Sequence, residues 1–122
     1  MFYAANAAAS ISTTYDEFQK IKSQFLSAKI TRNDFPKKFR KIDAELKAKY
    51  SELKSLEKIE LTVEGNQLAL DLELLQPLRD LAKSKINKEN CQESLSSNQR
   101  NLTAEEKRQT DAIEKLIKSV CF

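Results

Sequence analysis

The segment Lys58-Ile59-Glu60-Leu61-Thr62-Val63-Glu64-Gly65-Asn66-Gln67-Leu68-Ala69-Leu70-Asp71-Leu72-Glu73-Leu74 decides how the chain is read. Apolar and polar residues alternate on both sides of Gly65-Asn66: Ile59, Leu61 and Val63 before it, Leu68, Leu70, Leu72 and Leu74 after it. A period of two is the period of a half-buried strand, and Gly-Asn fits a two-residue type II′ turn. That turn sets the register. Val63 faces Leu68, Leu61 faces Leu70 and Ile59 faces Leu72, so all six apolar side chains share one face. On the other face Lys58 meets Glu73 favourably and Glu60 meets Asp71 unfavourably.

The competing pattern is a continuing helix, because Leu, Ala and Glu favour helices. At about 100° per residue, however, the four leucines point to both sides of a helix, and Gly65-Asn66 interrupts it. The alternation therefore predicts a β-hairpin over about 58–74. Two strands alone are marginal, so the hairpin must pack on helices. Either the polar 87–101 segment shields its edge, or the open edge would accept a strand from a partner or from a second copy, giving a homodimer. Glu64, Asn66 and Gln67 at its tip are candidate partner-binding residues.

Helices are expected on either side. Thr14 and Glu17 form a capping box, and Phe18, Ile21, Phe25 and Ala28 follow at helical spacing, which predicts a helix over about 14–30. Residues 31–36 read as a loop in which Asp34 can cap and Pro36 suits a first helical turn. Phe35, Phe39, Ile42, Leu46, Leu53 and Leu56 then step by fours and threes, broken only at Lys49, the spacing of an antiparallel helix pair. Pro77 opens a third helix with Leu78, Leu81, Ala82 and Ile86 inward. Residues 87–101 are polar, with Cys91 and Leu95 as anchors. A second capping box, Thr103 to Glu106, starts a last helix that runs to about Val120. The expected fold is α+β, mostly α: four helices and one central hairpin in the order α-α-β-β-α-α, as one compact domain over 13–122.

Composition agrees with a small helical protein. The chain has 122 residues, one Gly and two Pro, with 40% hydrophobic and 32% charged residues. That length can build a hydrophobic core, and the composition is that of a folded chain. Net charge is only +3, but it is distributed in blocks. From Lys29 to Lys49 eight basic residues stand against three acidic ones; from Glu57 to Asp80 six acidic residues stand against two basic ones. The blocks either complement each other inside the fold or face partners of opposite sign.

Residues 1–12 read as a flexible tail. Ala5-Asn6-Ala7 matches the small-residue form of a signal-peptidase site, without the charged and apolar regions that precede one, so the tail is either plain Ala/Ser-rich chain or a remnant of an export signal. No apolar run approaches the roughly 18–20 residues of a membrane span. Cys91 and Cys121 lie thirty positions apart. As a disulfide they would pin the last helix, for on the order of 3 kcal/mol, and place the chain in an oxidising compartment.

The chemistry is narrowed by omission. There is no His, which removes the commonest general base and the Ser/His and Cys/His nucleophile pairs. Two Cys without His do not make a standard zinc site, and one Gly cannot build a phosphate-cradling loop. Glu57 with Glu60, and Glu105 with Glu106, sit where solvated helix faces and helix first turns favour acids. No enzyme activity, metal or cofactor is expected. Asn101-Leu102-Thr103 matches a glycosylation sequon, which matters only in a secreted eukaryotic protein.

Lys37-Lys38-Phe39-Arg40-Lys41 interleaves four cations with one aromatic. On a helix Lys37, Arg40 and Lys41 share a side and Lys38 lies apart. These four are candidate partner-binding residues, although no nucleic-acid motif accompanies them, and nucleic acid and membrane surface are the less favoured partners. The functional expectation is a small exported binding protein, periplasmic or secreted, of the inhibitor or immunity type, that occludes a protein partner such as a toxin or an enzyme. The alternative is a cytoplasmic helical adaptor or nucleic-acid-associated protein that uses the basic face of the second helix.

Overall fold

A computed structural model describes residues 2–57, 63–98 and 104–122, the side chains of 2–10, 57 and 105 excepted. Six helices fill these segments: α1 (Phe2–Ser27), α2 (Phe35–Glu57), α3 (Val63–Leu74), α4 (Gln76–Lys83), α5 (Lys88–Ser97) and α6 (Ala104–Cys121).

Pro77 separates α3 from α4. It has no N–H to offer the Glu73 carbonyl, and just before it the ladder tightens, with the Leu75 N–H donating to the Leu72 carbonyl at 3.3 Å. Leu75 keeps helical dihedrals (φ −81°, ψ −2°), and α3 and α4 form one rod with a break in it. Side-chain pairs then give the directions. Phe25 and Phe39 pack with ring centroids 5.8 Å apart, and Lys49 pairs with Glu17, so α1 and α2 are antiparallel. Arg79 of α4 reaches Asp43 of α2 at 2.8 Å, which runs the α3–α4 rod back alongside α2. Ser94 of α5 bonds to the Pro77 carbonyl, and the Asn98 side chain to the Thr110 carbonyl, so α5 is antiparallel to both α4 and α6. The five rods alternate in direction.

The core lies along their shared axis. Phe18, Phe35, Phe39, Leu46, Leu53 and Leu68 are its buried centre, closed by Leu75, Leu78, Leu81, Ile113 and Ile117. On α2 the buried residues repeat the expected spacing of Phe35, Phe39, Leu46 and Leu53, with Ile42 half-buried.

The hairpin is not there. No strand occurs among the described residues, and Val63–Leu74 is helix. The first expected strand, 58–62, lies outside the described residues apart from Val63. Gly65 and Asn66, expected at the turn, sit in the first turn of α3. The alternation misled because it treated Asp71 as solvent-facing. Asp71 is buried at 2% exposure, and Leu68, Asp71, Leu75, Leu78 and Ala82 form one buried stripe stepping by three and four. Leu70 and Leu72 are half-buried, on the flanks of that stripe. A helix that spends its backbone N–H groups internally offers no strand edge, so the expected homodimer through such an edge loses its basis.

Two further boundaries differ. The first helix begins at Phe2, not Thr14, so Thr14 is a buried mid-helix residue and no cap. Alanine fills positions 4, 5 and 7–9, and no Gly or Pro precedes Pro36, so nothing in this stretch breaks a helix. The polar segment after Asn87 forms α5. The Asn87 side chain caps it, accepting from the Asn90 N–H at 2.8 Å, and Cys91 and Ser94 face inward. Thr103, the second expected cap, and the sequon around it lie outside the described residues.

Candidate functional site

Three polar features are built into the bundle. The first is a closed network between α1, α3 and α6. Phe18, Lys22 and Phe25 share the inward stripe of α1, which carries the Lys22 ammonium into the core. There its Nζ donates to Asp71 Oδ2 at 2.9 Å and to Gln109 Oε1 at 2.8 Å. Gln19 donates to the same Asp71 oxygen and Gln67 to the other, while the Gln109 amide donates to the Asp71 backbone carbonyl. A buried ion pair is tolerated when its remaining lone pairs are filled in this way. The network floors a cleft of about 700 Å³ rimmed by Tyr15, Arg108, Asp111 and Lys115. Because the floor groups satisfy one another, they hold helices together rather than presenting free charge.

The second feature joins α2 to α4. Arg79 forks onto Asp43, with Nε at 3.0 Å from one oxygen and Nη2 at 2.8 Å from the other, and Lys47 adds a contact at 3.2 Å. Burial alone would raise the Asp43 pKa; the hydrogen bonds and charges of Arg79 and Lys47 outweigh it and hold the carboxyl below its ordinary value of 3.8. The Arg79 guanidinium is raised in turn, chiefly by its hydrogen bond to Asp43.

The third feature is one end of the bundle, where the α1–α2 connection, the α4–α5 connection and the end of α6 converge. The Cys91 and Cys121 sulfurs stand at disulfide distance with Cα atoms 6.3 Å apart, tying the start of α5 to the end of α6. Arg32 donates to the carbonyls of Val120 and Cys121, which closes two orphan acceptors at the α6 C-terminus and suits its dipole. A disulfide-distance pair is typical of oxidising compartments. Among the described residues no helix is long and apolar enough to cross a membrane.

The residues expected to bind a partner are divided by this fold. Lys37, Lys38, Arg40 and Lys41 are exposed on the first two turns of α2, beside the disulfide end. Arg40 donates back to the Pro36 carbonyl. Glu64, Asn66 and Gln67 lie in the first turns of α3, towards the other end of α2, roughly 26 Å away along that helix. Asn66 is exposed and Glu64 half-buried, but Gln67 is committed to Asp71. The two groups do not make one surface. Sequence reasoning missed Gln19, Lys22, Asp71 and Gln109. Their signal was present as polar residues in phase with apolar stripes, Lys22 between Phe18 and Phe25 and Asp71 between Leu68 and Leu75. No family model, curated protein or solved structure matches the chain.

Proposed function

We propose that the chain is a small exported binding protein that acts without catalysis by occluding a partner protein. The observation that carries this reading is the start of α2. A helix N-terminus favours acids, yet apart from Asp34 just before it the first turn of α2 has none, and Lys37, Lys38, Arg40 and Lys41 crowd its first two turns. Lys37, Lys38 and Lys41 form no ion pair among the described residues. Cations that oppose the helix dipole and support no internal contact are a local conflict, and such conflicts concentrate where a surface serves binding. The cysteine pair supports the oxidising compartment that export implies.

The test is photo-crosslinking in the cells that make the protein. A benzophenone amino acid replaces exposed Asn33 in the α1–α2 connection, with exposed Ser96 on α5 as the control position. The expected result is a discrete protein adduct from position 33 and none from position 96. Adducts to nucleic acid or lipid, or no adduct, would overturn the reading, as would alkylatable free thiols in protein taken from its native source.

A further inference from the structure

The start of α2 belongs to a larger surface. Side-chain contacts bring four chain segments to one end of the bundle: Arg32 to the end of α6, Cys91 to Cys121, and Arg79 to Asp43. Lys83 lies one helical turn beyond Arg79, and Lys88 one turn before Cys91, so both project towards that end, with Lys85 between them. All three are exposed and form no ion pair among the described residues. Lys29 and Lys118 sit at the same end, Lys118 paired with Glu114 at 3.2 Å. The acids near them are fewer: Asp34 in the connection, Asp80 one turn before Lys83, Glu89 in the first turn of α5, and Glu114, which pairs with Lys118.

Arg32 shows what a cation does here when the fold uses it: it caps helix carbonyls. The lysines other than Lys118 have no such task. Sequence-distant residues have been gathered into one positive field, which raises the rate of encounter with a negative surface. Phe122 follows α6 at this end and is 72% exposed. Only Val63, towards the opposite end, is a comparably exposed large apolar residue among those described.

We infer that this end of the bundle docks onto an acidic face of a partner protein, with Phe122 as the apolar anchor inside a rim of lysines. The inference rests on the protein-binding reading above and adds the partner's chemistry to it. A membrane-surface site needs a broad apolar face beneath its cations, and this end offers one ring. A nucleic-acid site needs an element shaped to a groove, and this end is a set of helix termini. A single aromatic among charges is the anatomy of a protein interface, whose rim sets the association rate and whose buried anchor sets the lifetime.

The test titrates the oxidised, isotope-labelled full chain with three probes: a Glu-rich peptide carrying one central Leu, a short DNA duplex of equal charge, and phosphatidylglycerol vesicles. The peptide is expected to bind most tightly and to shift amides in 29–41, 83–88 and 118–122. The variant K37E/K38E/K41E should weaken it about tenfold and flatten its salt dependence. F122A should weaken it about five- to tenfold with the salt dependence intact. Tighter binding of the duplex or the vesicles would overturn the inference. So would peptide shifts elsewhere, or an F122A protein with unchanged affinity. If position 33 crosslinks to a protein while the peptide fails, the binding reading stands and the acidic-face inference falls; if no protein crosslinks, the reading itself has failed.

Discussion

The Lys22 ammonium lies 2.9 Å from the Asp71 carboxylate, with side-chain exposures of 10% and 3%. The pair bridges residues 49 positions apart and, through Gln109, a third helix. It ties α1 and α6 to the segment whose periodicity suggests a strand.

Removing either partner should therefore be costly. Lys22→Met or Asp71→Leu alone leaves an uncompensated buried charge, and each is expected to lose about 3–5 kcal/mol. The double variant should recover much of that loss, because two apolar side chains of similar volume replace both charges. Urea unfolding of the four proteins at neutral pH measures the coupling.

Helix and hairpin predict different costs for two neighbouring leucines. In a hairpin Leu68 and Leu70 would share the buried face. In α3 Leu68 is fully buried and Leu70 half-buried. Leu68→Ala should cost about 2–5 kcal/mol by loss of packing and creation of a cavity, and Leu70→Ala distinctly less. Equal costs in denaturant unfolding would return the hairpin to consideration.

Asp43 gives the stability a dependence on acid. Its folded pKa lies below 3.8, so between the folded and unfolded values the unfolded chain holds more protons. Its contribution is fully present above about pH 4 and is lost as pH falls through the lower folded value. Asp43→Asn should cost about 2 kcal/mol at neutral pH by weakening the Arg79 fork, and the difference from the parent should shrink in melts near pH 2.5. The exposed Lys49–Glu17 pair is a contrast: Glu17→Gln should change stability by well under 1 kcal/mol.

Reduction of the cysteine pair should act on the unfolded chain more than on the native contacts. Opening a loop from 91 to 121 is expected to cost roughly 3–4 kcal/mol on the chain-entropy account. The C91S/C121S variant should show a lower melting temperature than the oxidised parent and match it after reduction. Its α5 amides should exchange faster, because α5 is short and only Cys91 and Ser94 of its side chains are buried.

Much of the helical framework was legible in residue spacing. The Phe35-Phe39-Ile42-Leu46-Leu53 stripe, Pro36 in a first turn, Pro77 opening a helix and the Ile113-Leu116-Ile117-Val120 face are local patterns that hold whatever the rest of the chain does. So is the density of cations in 37–41. What only tertiary structure decided is which polar residues are inside. Asp71 reads as a solvent-facing acid until Gln19, Lys22, Gln67 and Gln109 arrive from three helices to satisfy it. Once it is satisfied, its burial restores a three-and-four repeat that a two-residue alternation had hidden. The same holds for the basic end. Its lysines are separate in sequence, and only the alternating directions of the rods set them side by side. Periodicity reports on apolar surface seeking the core, whereas the burial of a charge depends on partners that local sequence does not contain.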